Sequence, residues 1–284
     1  VKVVLYPGGA LAKAVDTYDT VLSGGADLGA FNPGFTPGRF PLSGVAELPF
    51  ISPSVEIGSK IIQALYDKYP QFQQEYGNVK VLSIRVNVPI VLHTVKKPVR
   101  TMEDLKGLTI RANSPEGGNM LKALGGTPVF MAMTELYTAL ERGTVDGAIY
   151  TVEAVQSFGL GPVTRYTTEV PITTVQSTLG MNTDSFNRLP KDAQKLLTTG
   201  KLGKDWLRES QDRAMNIGQD EGYKILKAQG DKWQQIFLTS EEYAKWTKTL
   251  TPLRDAWAEA REKENKPGKA ILRDWLDMLE KAKK

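Results

Sequence analysis

The first part of the chain alternates short apolar runs with amphipathic runs, a pattern typical of an α/β fold. The run VKVVLYPGG at 1–9 predicts a strand and a turn, and residues 10–25 predict a helix that ends in glycine. Strand patterns at 26–31 and 79–95 flank a predicted helix over 55–76. We therefore expect strands and helices to alternate along this part of the chain.

The same alternation continues beyond residue 100 and then gives way to helix alone. Helical patterns over 115–124, 133–143 and 150–161 are separated by short strand patterns. Residues 189–229 form one very long helical pattern with a polar face, in which a break near Gly200 stays open. The rest of the chain is mostly helical, so we predict an α/β fold with helical additions at its C-terminal end.

Two stretches of the chain resemble each other. In SGGADLGAF and in ERGTVDGAI, a glycine is followed after two residues by an aspartate and then by a small apolar strand, so that Gly24 and Asp27 match Gly143 and Asp146. This echo has two interpretations. It is either a chance recurrence of a common joint between helix and strand, or the mark of two related α/β lobes whose strands end at one inter-lobe face.

Composition narrows the class of protein. A length of 284 residues suffices for about two domains, and no apolar run approaches the ~18 residues of a transmembrane helix. The net charge of +4 is spread along the chain without a basic stripe, so we expect no nucleic-acid partner. The absence of cysteine excludes disulfides and thiolate chemistry. Composition alone leaves the cellular compartment open.

The sequence offers little support for catalysis. His93 is the only histidine, and no G-x-S-x-G motif supplies a serine nucleophile for it. No Walker A motif is present, and Thr164 occupies the third glycine position of a dinucleotide fingerprint. Carboxylates such as Glu47 and Glu56 have no spacing that indicates acid–base work. An α/β enzyme that uses His93 stays as an alternative, and it would need a Ser, Asp or Glu beside that ring.

Arg111 occupies an unusual position in the segment GLTIRANSPEGGNML. The preceding Leu108 and Ile110 alternate with polar residues and predict a short strand, while Ser114 and the proline after it predict the cap and first residue of a helix. Arg111 therefore falls at the carboxyl end of a strand, where open α/β sheets bind ligands, and next to a helix N-terminus that favours anions. A surface arginine paired with a nearby acid is the simpler interpretation. The fork of donors on arginine, however, matches a carboxylate.

Residues 102–148 read MEDLKGLTIRANSPEGGNMLKALGGTPVFMAMTELYTALERGTVDGA. Through this block the chain resembles the substrate-binding proteins of tripartite ATP-independent periplasmic (TRAP) transporters, of the DctP type. The segments YPGGALAKAVDTYDTVLSGGADLGAF, VAELPF and LGMNTDSFNRLPKDAQKLL extend the resemblance, which covers roughly residues 1–225. It implies that Arg111 takes the place of the family's carboxylate-binding arginine.

The resemblance implies a two-lobed fold of the periplasmic-binding-protein kind, with a ligand cleft between the lobes. We expect lobe one over 1–88, completed by parts of 183–284, and lobe two over 89–181. A long helix over 189–229 would span both lobes, and helices over 230–284 would pack on them. The lobes of such a protein close over the ligand.

Three departures from the family pattern modify this expectation. The family normally begins with a further strand and helix, which we expect this fold to lack because the sequence starts at Val1. Ala148–Tyr150 stand where relatives often carry Gln-Glu-Asn, and Val91–His93 stand where relatives with acidic sugar substrates have a second arginine. The resemblance therefore implies a less polar pocket with one strong cationic anchor.

From these residues and the resemblance we predict a periplasmic solute-binding protein that delivers a small organic acid to TRAP membrane subunits. It would need no cofactor, metal or chemical step. The ligand would be a monocarboxylate, with aromatic and 2-oxo acids as candidates. A ligand-sensing domain of the same fold is a second alternative. The predicted binding residues are Arg111, Asn113, Ser114, Phe31, Asn32, Met133, Ile149, Tyr150, Thr174, Gln176 and His93.

Overall fold

A computed structural model of the protein describes residues 2–282, and its strands form two separate sheets. The strands are β1 Leu28–Phe31, β2 Val79–Val86, β3 Ile90–Thr94, β4 Thr109–Ala112, β5 Thr127–Phe130, β6 Gly147–Thr151, β7 Tyr166–Thr173, β8 Gln176–Asn182 and β9 Gln234–Ile236. The helices are α1 Thr17–Leu22, α2 Val55–Lys68, α3 Pro70–Gln74, α4 Pro115–Ala123, α5 Met133–Arg142, α6 Glu153–Ser157, α7 Thr183–Arg188, α8 Lys191–Thr198, α9 Lys204–Lys227, α10 Ser240–Leu250, α11 Pro252–Lys263 and α12 Gly268–Ala282. Short 3-10 turns join several of them.

The smaller lobe is built on an antiparallel sheet of order β1-β8-β2. Helix α2 packs on β2 because its apolar residues recur at spacings of three and four, which places Ile62 and Leu65 in the core. The hydroxyl of Ser54 begins this helix by accepting the N–H of Ile57. Helix α12 packs against α2 and adds Trp275 to the same core.

The larger lobe is built on a six-stranded sheet of order β5-β4-β6-β3-β7-β9. Strand β4 runs parallel to β5 and β6, whereas β3 runs antiparallel to β6 and β7. Alternate side chains enter two different cores. Ile110 and Ile149 join one core with residues of α4, and Val91 and Tyr150 join the other with residues of α5.

Several connections hold the lobes together. Residues 87–89 link β2 to β3, residues 174–175 link β7 to β8, and α9 packs against β2 and α2 of the smaller lobe and α6 of the larger. Gly222 permits the last contact, because a Cβ there would lie 2.1 Å from the carbonyl oxygen of Val152. The predicted two-lobed α/β fold is confirmed. Within residues 2–282 no helix has the length and apolarity needed to cross a membrane.

One lobe boundary differs from the prediction, and the long helix is divided in two. Strand β8 pairs with β1 and β2 in the smaller sheet, so residues 176–181 do not belong to lobe two, in which the predicted range 89–181 includes them. The long helical pattern over 189–229 is divided into α8 and α9 by residues 199–203, which include Gly200 and Gly203. The break that the pattern left open near Gly200 is therefore present.

The predicted first strand is wrong. Residues 2–6 form no strand, and Val3 and Leu5 are exposed by 77% and 80%. Strand β1 is an edge strand that pairs only with β8 among the described strands, so no neighbour satisfies the backbone groups of residues 2–6. The helix predicted over 10–25 shortens to α1 for the same lack of packing. Val1 and residues 283–284, which fall in predicted segments, lie outside the described residues.

Candidate functional site

Arg111 is a buried cation at the end of β4. Only 3% of the residue is exposed, and its Nε and Nη1 donate to the carbonyl oxygens of Met131 and Ile149 at 3.2 and 3.4 Å. No described carboxylate forms an ion pair with it. Burial lowers the pKa of Arg111 to about 10, so the guanidinium stays charged at neutral pH. It therefore offers a positive charge that no other described residue neutralises.

The start of α4 lies directly after Arg111, as the sequence predicted. Ser114 caps the helix by accepting the N–H of Gly117 at 3.2 Å, and Nδ2 of Asn113 donates to the same hydroxyl oxygen at 3.3 Å. A Cβ on Gly117 would lie only 2.4 Å from Oδ1 of Asn113, so a glycine is required for the amide to fit. That Oδ1 is buried without a hydrogen-bond partner.

His93 and Tyr150 lie on the same face of the larger sheet as Arg111. The register joins Arg111 to Ala148 and Ala148 to His93, so the small Ala148 separates the two basic side chains. The rings of His93 and Tyr150 stack with centroids 3.8 Å apart. The pKa of His93 is lowered to about 3 by burial, and Nδ1 lies 3.0 Å from Oγ1 of Thr167. His93 is thus a neutral, packed ring, and its partner is not the Ser, Asp or Glu that an enzyme would need.

The other predicted wall residues, Ile149 and Met133, pack in different cores. Ile149 points its side chain into the core shared with α4 and contributes its carbonyl oxygen to Arg111. Met133 is half-buried at the first residue of α5. Met133 packs against the same core as Tyr150, which lies on the Arg111 face of the sheet and stacks on His93.

The predicted residues of the smaller sheet gather around Tyr76. Phe31 packs against its ring, with centroids 6.3 Å apart, and Nε2 of Gln176 donates to its hydroxyl. Thr174 instead donates to the carbonyl oxygen of Asn87 at 2.7 Å, within the connections between the lobes. Asn32 is half-buried and precedes the 3-10 turn Pro33–Phe35.

Glu47 joins the two halves of the site, and it was not among the predicted residues. The side chain of Ser114 and the backbone of Gln176 lie close enough to its carboxyl to lower the pKa of Glu47, but other effects outweigh them. Burial and the nearby Glu116 carboxyl raise the pKa of Glu47 to about 8, so it holds its proton at neutral pH. The available signal was a charged residue inside the apolar run VAELPF. Its contacts bring Ser114 of the larger lobe and Gln176 of the smaller sheet together.

The lobes also meet at Gly44 and Glu116. A Cβ on Gly44 would lie 2.9 Å from Oε1 of Glu116 and 3.0 Å from Nε1 of Trp257. Burial raises the pKa of Glu116, while Arg261 lowers it. The structure therefore has a closed cleft at this point, with two carboxyl groups on its lining.

A cavity of about 290 Å³ lies elsewhere, where α9 covers the connections between the lobes. Pro89, Pro171 and Tyr223 are among its lining residues, and Arg111 is not. Residues 2–282 contain no group of three His, Cys, Asp or Glu side chains that could hold a metal ion.

The chain is similar to proteins of one bacterial family. The profile of bacterial extracellular solute-binding proteins, family 7 (DctP), matches residues 1–261. The C4-dicarboxylate-binding periplasmic protein DctP of Rhodobacter capsulatus is 28% identical over 218 residues, which are 76% of this chain and 63% of that protein. The chain thus spans less than two thirds of this curated relative.

Solved structures match over more of their length. A TRAP solute binding protein from Rhodoferax ferrireducens, in complex with copurified benzoate, is 28% identical and has a TM-score of 0.88, with 94% of this chain and 83% of that chain covered. A TRAP periplasmic solute binding protein from Bordetella bronchiseptica, with bound (R)- and (S)-mandelate, is 26% identical and has a TM-score of 0.87, with 96% and 86% covered.

Proposed function

The chain belongs to family 7 of the bacterial extracellular solute-binding proteins, which are not enzymes, and we propose that it captures a small organic acid as a carboxylate anion. The lobes would close over the acid, and the protein would deliver it in the periplasm to the membrane subunits of a TRAP transporter. The names of the relatives support the compartment and the partner. No chemical step is involved.

The observation that carries this proposal is the buried, unpaired guanidinium of Arg111. Burying a charge without a counter-ion is costly, because the low-dielectric interior cannot replace its hydration. Two carbonyl oxygens at 3.2 and 3.4 Å solvate the cation only in part. A ligand carboxylate would supply the missing negative charge and accept parallel hydrogen bonds from the guanidinium fork.

Monocarboxylates fit the surroundings of Arg111 better than dicarboxylates do. The benzoate and mandelate of the two solved relatives each carry one carboxylate, whereas the relative from Rhodobacter capsulatus binds C4-dicarboxylates. In this chain the cleft already buries the carboxyl groups of Glu47 and Glu116. A second ligand carboxylate would meet these acids instead of another unpaired cation.

The test compares charged ligands with neutral analogues of the same shape. Benzoate should raise the melting temperature while benzamide should not, since a ligand at 100 times its Kd stabilises the fold by about 2.7 kcal/mol. Succinate should compete more weakly than benzoate or mandelate in calorimetric titrations. Equal binding of benzoate and benzamide would show that the anchor is not a cation, and tighter binding of succinate would overturn the monocarboxylate assignment.

A further inference from the structure

The cavity of about 290 Å³ beneath α9 lies where several parts of the fold meet. Val55 reaches it from the smaller lobe, Pro89 from a connection between the lobes, and Pro171 from β7 of the larger lobe. Tyr223 covers it from α9. Arg111 does not line this cavity, which is therefore separate from the candidate site for the acid.

The wall of this cavity is mostly apolar. Three prolines and four valines form the greater part of it, and Val88 and Val152 are buried in the fold. Pockets that bind small molecules typically have apolar walls with a few polar groups, and they enclose about 300–1,000 Å³. A cavity at the lower end of this range suits a small ligand with an apolar body.

Among the described residues that line the cavity, only Glu169 carries a charge. Its Oε2 accepts the hydroxyl of Tyr223 at 2.8 Å, and its Oε1 accepts Nε2 of Gln235 at 2.9 Å. Burial raises the pKa of Glu169, and these two neutral donors offset that rise only in part. No described residue forms an ion pair with Glu169. The cavity wall therefore presents a carboxyl group without a counter-ion.

Two other carboxyl groups approach this wall, and each has a cation nearby. Glu56 accepts a hydrogen bond from the side chain of Asn216, which lines the cavity, and Lys60 attracts Glu56. Glu153 packs against α9 and attracts Arg85. The cations of the protein thus pair with the acids around the cavity, whereas the carboxyl group on the cavity wall itself has neutral partners only.

We propose that this cavity is a second ligand site, which binds a small organic cation such as an amine with its charged group against Glu169. Each carboxylate oxygen can accept a further hydrogen bond, so the bonds from Tyr223 and Gln235 leave room for an ammonium donor. The carbon atoms of the amine would displace water from the proline and valine side chains. An anion would meet a carboxylate that no cation balances, and a neutral molecule would leave that charge unpaired.

The experiment titrates cyclohexylammonium and its neutral isostere cyclohexanol into the acid-free protein by calorimetry. Cyclohexylammonium should bind about tenfold or more tightly than cyclohexanol, because only the cation forms a charged hydrogen bond with Glu169. Glu169→Gln keeps the size of the side chain but removes its charge, so it should reduce this ratio to about twofold or less. Gln219→Trp places a large ring on the cavity wall and should weaken the binding of both probes.

The matched control is Glu75→Gln, which removes another carboxyl group that accepts hydrogen bonds from neutral donors, at Leu42 and Ser43, but outside the cavity. It should leave the ratio unchanged, and thermal melts should show that all three variants are folded. Equal binding of the two probes, or a preference that survives Glu169→Gln, would overturn the inference. Full affinity for cyclohexylammonium in Gln219→Trp would place the cation outside the cavity and would also overturn it.

Discussion

Replacing Arg111 with methionine should stabilise the ligand-free protein and strongly weaken its affinity for the acid. Methionine retains most of the volume of the arginine stem but carries no charge. Burial in the folded state lowers the pKa of Arg111 from its usual value to about 10. A shift of this size corresponds to about 3 kcal/mol of unfavourable free energy for keeping the cation buried.

The variant also loses two hydrogen bonds, to the carbonyl oxygens of Met131 and Ile149. At distances of 3.2 and 3.4 Å these bonds are long, so they return only part of the cost of burial. We therefore expect Arg111→Met to gain about 1–2 kcal/mol in the free energy of unfolding. For a protein of this size that is a rise of roughly 2–6 °C in melting temperature.

The effect on binding has the opposite sign and is larger. Without Arg111 the ligand carboxylate is buried and unpaired, which costs about 3–5 kcal/mol. The Kd should therefore rise by a factor of roughly 10² to 10³ or more. Arg111→Lys should retain part of the affinity, because an ammonium keeps the charge but not the planar fork.

The matched control is Arg85→Met. Burial lowers the pKa of Arg85 as well, but Asp212 attracts this guanidinium, and its Nη1 donates to Oδ1 of Asn87 at 2.8 Å. Removing it should lower the melting temperature and leave ligand affinity unchanged. Thermal melts and calorimetric titrations of both variants decide the matter. If Arg111→Met lowers the melting temperature as Arg85→Met does, or binds the acid like the wild type, the reasoning from an unpaired cation is refuted.

Three further outcomes are expected. The pKa of Glu47 is 4.5 in the unfolded chain and about 8 in the fold, so its contribution to stability is fully present below pH 4.5 and is lost as the pH rises to about 8. In thermal melts, the melting temperature of Glu47→Gln should match that of the wild type at pH 5 and exceed it at pH 8. Gly117→Ala should displace Asn113 and weaken binding about tenfold in titrations, whereas Gly126→Ala, where a Cβ has 3.5 Å of room, should not. Small-angle scattering should give a smaller radius of gyration with a saturating acid than without one, because a ligand held by both lobes favours closure.

Each of these outcomes can fail on its own. A Glu47→Gln variant with the same melting difference at both pH values would show that Glu47 ionises normally in the fold. Identical weakening by both glycine substitutions would point to a general effect on the larger lobe. Identical scattering curves would show that the ligand does not change the distance between the lobes.

Local sequence rules correctly predicted the elements of the candidate site that depend only on neighbouring residues. The alternation before Arg111 predicted β4, and Ser114 with Pro115 predicted the cap of α4, which the structure confirms. Strand periodicity and helix capping depend on the few residues that form them. The cationic side of the candidate site could therefore be predicted from one short segment.

These local rules did not predict which strands pair with each other in the fold. The run at 1–9 has the composition of a strand, but residues 2–6 find no strand beside them. The predicted range of lobe two, 89–181, included the residues of β8, yet this strand pairs with β1 and β2 of the smaller sheet. Which sheet a strand joins is decided by the partners that cover its faces, and periodicity along the chain does not contain that information.

Glu47 shows why the sequence did not predict the acidic side of the candidate site. A glutamate in a short turn is usually a solvated surface residue, but burial in the closed cleft and the nearby Glu116 carboxyl keep this one neutral, and Ser114 offsets them only in part. The cation lies in the larger lobe, whereas Glu47 and Gln176 lie in the smaller one. Under the proposed function, one ligand would have to bind Arg111 of one lobe and contact the other lobe when the cleft closes. The contacts that determine which ligand binds would then also hold the closed lobes together. Ligand selectivity and closure should therefore change in the same variants.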